Sequence, residues 1–85
     1  MKLKSTFITH MSGSEQLMIS AGGDFNGMVR SNSTAAEIID LLKTETTRDA
    51  IIAAMLEKYE VEESVLAADV DKVIGKLREI GAIDG

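Results

Sequence analysis

The stretch "MVRSNSTAAEIIDLL", residues 28–42, decides the fold. Met28 to Arg30 reads as strand, with β-branched Val29 suited to a pleated surface. From Thr34 to Leu42, Ala35, Ile38, Ile39 and Leu42 fall on one stripe of a helix. Only Ser31, Asn32 and Ser33 lie between the two. A strand that runs so abruptly into a helix is held at a fixed angle to it. What such a rigid strand is for, in a chain of 85 residues, is the question the rest of the sequence must answer.

Upstream, Phe7 to Met11 and Leu17 to Ala21 are rich in Ile, Phe, Thr and Met, and "SGSE" between them has the composition of a hairpin turn. "AGGDFNG" then offers two turn signals. Placing the turn at Gly22-Gly23-Asp24 leaves Phe25 onward free for a third strand. The strands are therefore expected near residues 6–11, 17–21 and 25–31.

Downstream, Thr34 and Glu37 have the spacing of a capping box, in which each side chain bonds to the other residue's amide. Helix one is expected over 34–43. "TETT" breaks it, and Thr46 with Asp49 repeats the cap spacing. Ile51, Ile52, Met55, Leu56 and Tyr59 share one face, so helix two covers 47–58. After "YEVEES", the residues Leu66, Val70, Val73, Ile74, Leu77 and Ile80 step at threes and fours through helix three, over 63–80. Gly81 ends it in the position favoured for a left-handed cap. Gly75, inside that helix, costs about 1 kcal/mol relative to alanine. It reads as a tolerated defect, a close helix crossing, or a thin spot that admits another backbone. The order is β-β-β-α-α-α, a mixed α+β class with a three-stranded antiparallel sheet followed by three helices.

Length and composition bound the function. A chain this short makes a single domain, residues 1–85, with little room for a deep catalytic cleft. There is no cysteine, hence no disulfide frame and no thiolate zinc site. No apolar run is long enough for a membrane span, and none follows "MKLKSTFITHM" as a signal peptide requires. The expectation is a complete cytoplasmic protein with no membrane partner. Net charge is −5. Residues 1–32 carry three basic groups against two acidic, and the remainder six against twelve. Such an acidic helical part is a poor match for a phosphate backbone, so nucleic acid is not expected as a partner.

Chemistry-bearing residues are few. His10 is the only histidine and has no imidazole or thiolate with which to share a metal or a proton relay. Glu57, Glu60, Glu62, Glu63, Asp69 and Asp71 fall on polar faces or in a loop and read as solvated charge. Gly22-Gly23 lacks the lysine and hydroxyl residue of a phosphate-binding loop. "EESVL" around Ser64 is a loose echo of an acyl carrier protein, but that fold is all helix and its aspartate is absent here. The expectation is no enzyme, no catalytic residue, no metal and no cofactor.

"SNSTAAEIIDLL" resembles the Leu-Asn-x-Thr-Ala-x-x-Ile-x-x-Leu-Leu signature of the PqqD family of pyrroloquinoline quinone biosynthesis, matching at Asn32, Thr34, Ala35, Ile38, Leu41 and Leu42. The similarity continues through Thr47, Ile51, Leu56, "KYEVEES", Asp69-Val70, Leu77 and "GAI" at Gly81 to Ile83. Ser31 stands where the family usually has leucine, and Ile39 where tryptophan is common, which implies different packing beneath helix one.

The resemblance implies a winged helix-turn-helix-like peptide-recognition element. Such a domain is a non-catalytic adaptor that holds the leader of a ribosomally made precursor peptide and presents the peptide to a modifying enzyme, often a radical S-adenosylmethionine maturase. In the family, the leader adds as a strand to the third strand, and helix three forms the other wall of the groove. Carried onto this sequence, the peptide-binding residues are Phe25, Asn26, Gly27, Met28, Val29, Arg30 and Ser31 on the strand, with Val65, Asp69, Lys72, Val73 and Lys76 on the helix. A strand at the edge of a sheet is a template for another strand unless it is blocked, and no proline guards this one. The alternative is a winged-helix DNA-binding regulator, whose recognition helix would be helix two. That helix pairs Arg48 and Lys58 with Asp49 and Glu57 around an apolar "AIIAAML".

Overall fold

A computed structural model describes residues 1–22 and 27–84. Its elements are β1 (Lys2–Leu3), β2 (Phe7–Ser12), β3 (Glu15–Ser20), β4 (Met28–Ser31), α1 (Ser33–Leu41), α2 (Arg48–Leu56), α3 (Glu63–Glu79) and β5 (Ile83–Asp84). The three strands and three helices expected from the sequence are present in the expected order.

Strands β2, β3 and β4 form an antiparallel sheet in that spatial order. The β2–β3 hairpin closes at the Ser12–Glu15 pair, leaving a two-residue turn at Gly13 and Ser14 within "SGSE". Gly13 takes its first position with φ at 64°, a conformation that costs glycine nothing and other residues about 1–2 kcal/mol. Phe7 and Met18 project inward and are buried. The opposite face is not polar: Ile8, Ile19 and Met28 lie side by side across all three strands, each about half exposed.

The short β1–β5 pair, Lys2 with Asp84 and Leu3 with Ile83, was not foreseen. Two-residue strands carry no periodicity for a sequence to display. Further hydrogen bonds, from Leu3 N to Leu42 O at 2.7 Å and from Lys4 N to Ala82 O at 2.8 Å, bring this pair against the ends of α1 and α3.

Both expected helix caps are displaced. Asn32, not Thr34, caps α1, its side-chain oxygen accepting from Ala35 N at 2.9 Å. Thr47, not Thr46, caps α2 and accepts from Ala50 N at 3.1 Å. Each helix starts where an extended residue places a side-chain acceptor under its third amide, and the competing threonine lies inside or outside that geometry. Glu37, the expected partner of Thr34, instead accepts from Lys58 at 3.1 Å and links α1 to the end of α2. Gly81 adopts φ of 76° just beyond α3, as its position in the sequence implies.

Helix α1 packs on the inner face of the sheet against β3 and β4, and α2 and α3 pack against α1 and each other. Leu3, Phe7, Met18, Ile38, Ile39, Leu42, Ile51, Ile52, Met55, Leu66, Val70, Ile74, Leu77 and Ala82 make one continuous core. Nothing lies within 4 Å of a methyl group placed on Gly75. That glycine marks no close helix crossing within the chain.

Candidate functional site

The site is built on β4. Its inner edge pairs with β3 through Gln16–Ser31, Leu17–Arg30, Met18–Val29 and Ile19–Met28, and its other edge ends the sheet. Alternation turns Val29 and Ser31 toward the helices, while Met28 and Arg30 face outward and are exposed. Ser31 is buried to 6% exposure, directly followed by the Asn32 cap. Beneath the strand, Gln16 at 2% exposure donates from Nε2 to Asp40 Oδ1 at 3.0 Å, tying β3 to the last turn of α1. The cap and this part-buried bond hold β4, β3 and α1 as one unit.

Between β4 with the start of α1 and the facing side of α3 run two adjoining clefts. One, of about 270 Å³, is lined by Val29, Arg30, Ser31, Ala35, Ile39, Lys72, Val73, Lys76 and Leu77. The other, of about 260 Å³, is lined by Asn32, Thr34, Ala35, Ile38, Asp69, Lys72 and Val73. Ala35, Lys72 and Val73 belong to both, so the two form a single groove. Its first part has an apolar floor of Val29, Ile39, Val73 and Leu77, with amines at the rim.

The structure thus brings together Val29, Arg30, Ser31, Asp69, Lys72, Val73 and Lys76 of the residues expected from sequence. Val65 does not join them: it is 55% exposed near the start of α3 and lines neither cleft. Gly27 precedes β4 and Met28 begins it on the outer face; both lie outside the groove lining. Phe25 and Asn26 fall outside the described residues. The sequence reading missed Asn32, Thr34, Ala35, Ile38, Ile39 and Leu77 as lining. It assigned the two isoleucines and Leu77 to the core, where they are also buried. Side-chain size was the available signal: Ala35 holds the first place of its apolar stripe, where a small group leaves space in front of α3.

The ion pairs of the described residues lie away from this groove. Elsewhere, Lys43 pairs with Asp40, Lys58 with Glu37, and Arg48 with Asp49 and Asp71. Among the described residues, Arg30, Asp69, Lys72 and Lys76 take part in no ion pair. Among the described residues, no cluster of three or more His, Cys, Asp or Glu side chains is placed to hold a metal. His10 lies exposed on the outer sheet face, across β3 from Arg30. Among the described residues, no helix is long and apolar enough to cross a membrane.

Residues 15–83 match the family model of coenzyme PQQ synthesis protein D (PqqD). The chain belongs to the PqqD family. No curated protein matches it at a significant level. The PqqD-like fold recurs in TbiB1 in complex with the TbiA(beta) leader peptide, at a TM-score of 0.83 and 15% identity, covering 100% of this chain and 96% of that one. It recurs again in lasso peptide synthetase B1 complexed with its leader peptide, at a TM-score of 0.76 and 18% identity, covering 95% and 93%. Ser31 and Ile39 line the same cleft beside β4.

Proposed function

We propose that this PqqD-family chain is a non-catalytic adaptor. It binds the leader segment of a ribosomally synthesised precursor peptide by strand addition at β4 and presents the peptide to a modifying enzyme, for which a radical S-adenosylmethionine maturase is the family's usual partner. The observation that carries this reading is the free edge of β4 facing a groove whose opposite wall is α3.

The physics of that edge favours an extended peptide. An added strand satisfies a row of backbone donors and acceptors with little demand on sequence, and alternate side chains enter the groove, where selection occurs. Because the Asn32 cap and the Gln16–Asp40 bond fix β4 before any peptide arrives, less ordering entropy is lost on binding. The rigid strand is a preformed template. Family membership and the two leader-bound neighbours of the same fold support the choice of ligand.

Nothing comparable supports DNA binding through α2. Arg48 is held by Asp71 and Asp49, and Lys58 by Glu37. Nuclear magnetic resonance titration with the leader of a precursor peptide encoded beside this chain should concentrate shifts in residues 27–31 and 69–77. Shifts gathered on α2 with β4 silent would refute the docking mode.

A further inference from the structure

We infer that the groove reads the order of charge along its ligand: it selects an extended segment whose basic side chains lie N-terminal, and acidic side chains C-terminal, to an apolar anchor. This rests on strand addition at β4 and specifies the peptide class that such a site takes.

Direction comes first. Residues 29–31 line the part of the groove faced by Lys72, Val73, Lys76 and Leu77, whereas Asn32, Thr34 and Ile38 face Asp69, Lys72 and Val73. β4 therefore runs antiparallel to α3. The sheet is wholly antiparallel, and antiparallel pairing is the more stable per residue, so a strand added at β4 runs antiparallel to it. Such a strand enters beside Asn32 and Asp69 and leaves beside Met28 and Lys76.

Register follows from the two-residue alternation. The residue opposite Val29 turns toward the helices and lies over the apolar floor of Ile39, Val73 and Leu77. The inward residue opposite Ser31 is two places earlier in the ligand and approaches the cleft that holds Asp69. Residues after the anchor pass Lys76. Lys72 lines both clefts and lies between the two ends.

The charges are also available. Arg30, Asp69, Lys72 and Lys76 are exposed and have no ion-pair partner among the described residues. Lys76 at one end of the groove and Asp69 at the other, with Lys72 between them, set up a field that changes sign along the groove. An anion at the Lys76 end is attracted, and at the Asp69 end it is repelled. Complementary charge placed this way fixes register and excludes wrong ligands more than it adds raw affinity.

The test uses two capped synthetic peptides of identical composition. Each has a Val-Leu-Val centre flanked by threonines; one carries two lysines before the centre and two glutamates after it, and its isomer has these charges exchanged. Fluorescence anisotropy against the full chain should show a preference of about three- to tenfold for the lysine-first isomer, shrinking at high salt because the charges are exposed. The double variant Asp69→Lys, Lys76→Glu should reverse the preference, with circular dichroism confirming an unchanged fold. Equal affinity for both isomers, a glutamate-first preference, or a preference indifferent to the double variant overturns charge ordering while leaving strand addition in place. Failure of both isomers to bind overturns charge ordering and strand addition together.

Discussion

Helix α3 has two flanks, and they treat charge in opposite ways. Toward α2, Arg48 donates to both carboxylate oxygens of Asp71, one of them from Nη2 at 3.0 Å, closing the helix pair beside the cleft lined by Ile52, Leu56 and Ala67. Toward β4, Lys72 and Lys76 lean over a groove and bind nothing within the chain. The fold positions both flanks equally well. Charge paired inside the chain locks one helix to another, whereas charge left unpaired beside an open strand edge is available to a partner.

The most severe way to break this contrast is to remove what the flanks share. Leu77 is 1% exposed, belongs to the core and also floors the β4 groove. Leu77→Ala should cost about 2–5 kcal/mol, from lost burial and the cavity left behind, read as a fall in the urea midpoint. Peptide binding should weaken with it, since the groove loses its floor.

A sharper cut separates backbone from side chain on the β4 flank alone. Val29→Pro removes a donor or distorts the ladder and should weaken leader binding by more than about tenfold, roughly 1.4 kcal/mol, in calorimetric titration. Val29→Thr keeps the backbone and should bind within a few-fold of the parent chain. Equal effects from the two would show that binding does not run through the strand.

Asn32→Ala addresses how firmly β4 is held. Losing the bond to Ala35 N should destabilise the chain by about 1 kcal/mol in thermal or urea melts, while Asn32→Ser should retain most of that. The binding enthalpy should then show a larger opposing entropy, because the strand must be ordered on docking.

The smallest effect belongs to the α2 flank and depends on pH. The Arg48 guanidinium beside Asp71 holds that carboxyl below its ordinary pKa and raises its own. A carboxyl depressed in the folded state contributes stability that is complete above its unfolded pKa and is lost as pH falls through the lower folded value. Asp71→Asn should therefore lower the melting temperature slightly near neutrality and flatten its decline in acid, with leader affinity unchanged. The pair is exposed, so the shift should be small and reduced by salt.

Much of the fold was legible because its patterns are local. The stripes Ile38–Ile39–Leu42, Ile51–Ile52–Met55 and Leu66–Val70–Ile74–Leu77 repeat at helical spacing and are buried as that spacing implies. Caps were less legible. Thr34 and Thr46 satisfy the spacing of a cap, but the choice between neighbouring polar residues depends on which one turns out of the helix, and that follows from where β4 and the α1–α2 connection direct the chain. The candidate site was legible on its charged wall, since Asp69, Lys72 and Lys76 lie one step around α3 from the apolar stripe. Its floor was not, because Ile39 and Leu77 look like core residues and serve as core and groove together. Val65 shares the helical step with Asp69 yet lines neither cleft of the groove.

The sequence by itself determined the types and order of the three sheet strands and three helices, the family and the residues able to form an open strand edge, because each rests on contacts or spacings within a few positions of the chain. The tertiary structure decided which edge ends the sheet, that β4 runs antiparallel to α3, and which charges meet partners. Those facts depend on packing between segments 30 to 45 residues apart, such as Ser31 against Val73 and Lys76, where spacing along the chain carries no record of distance in space.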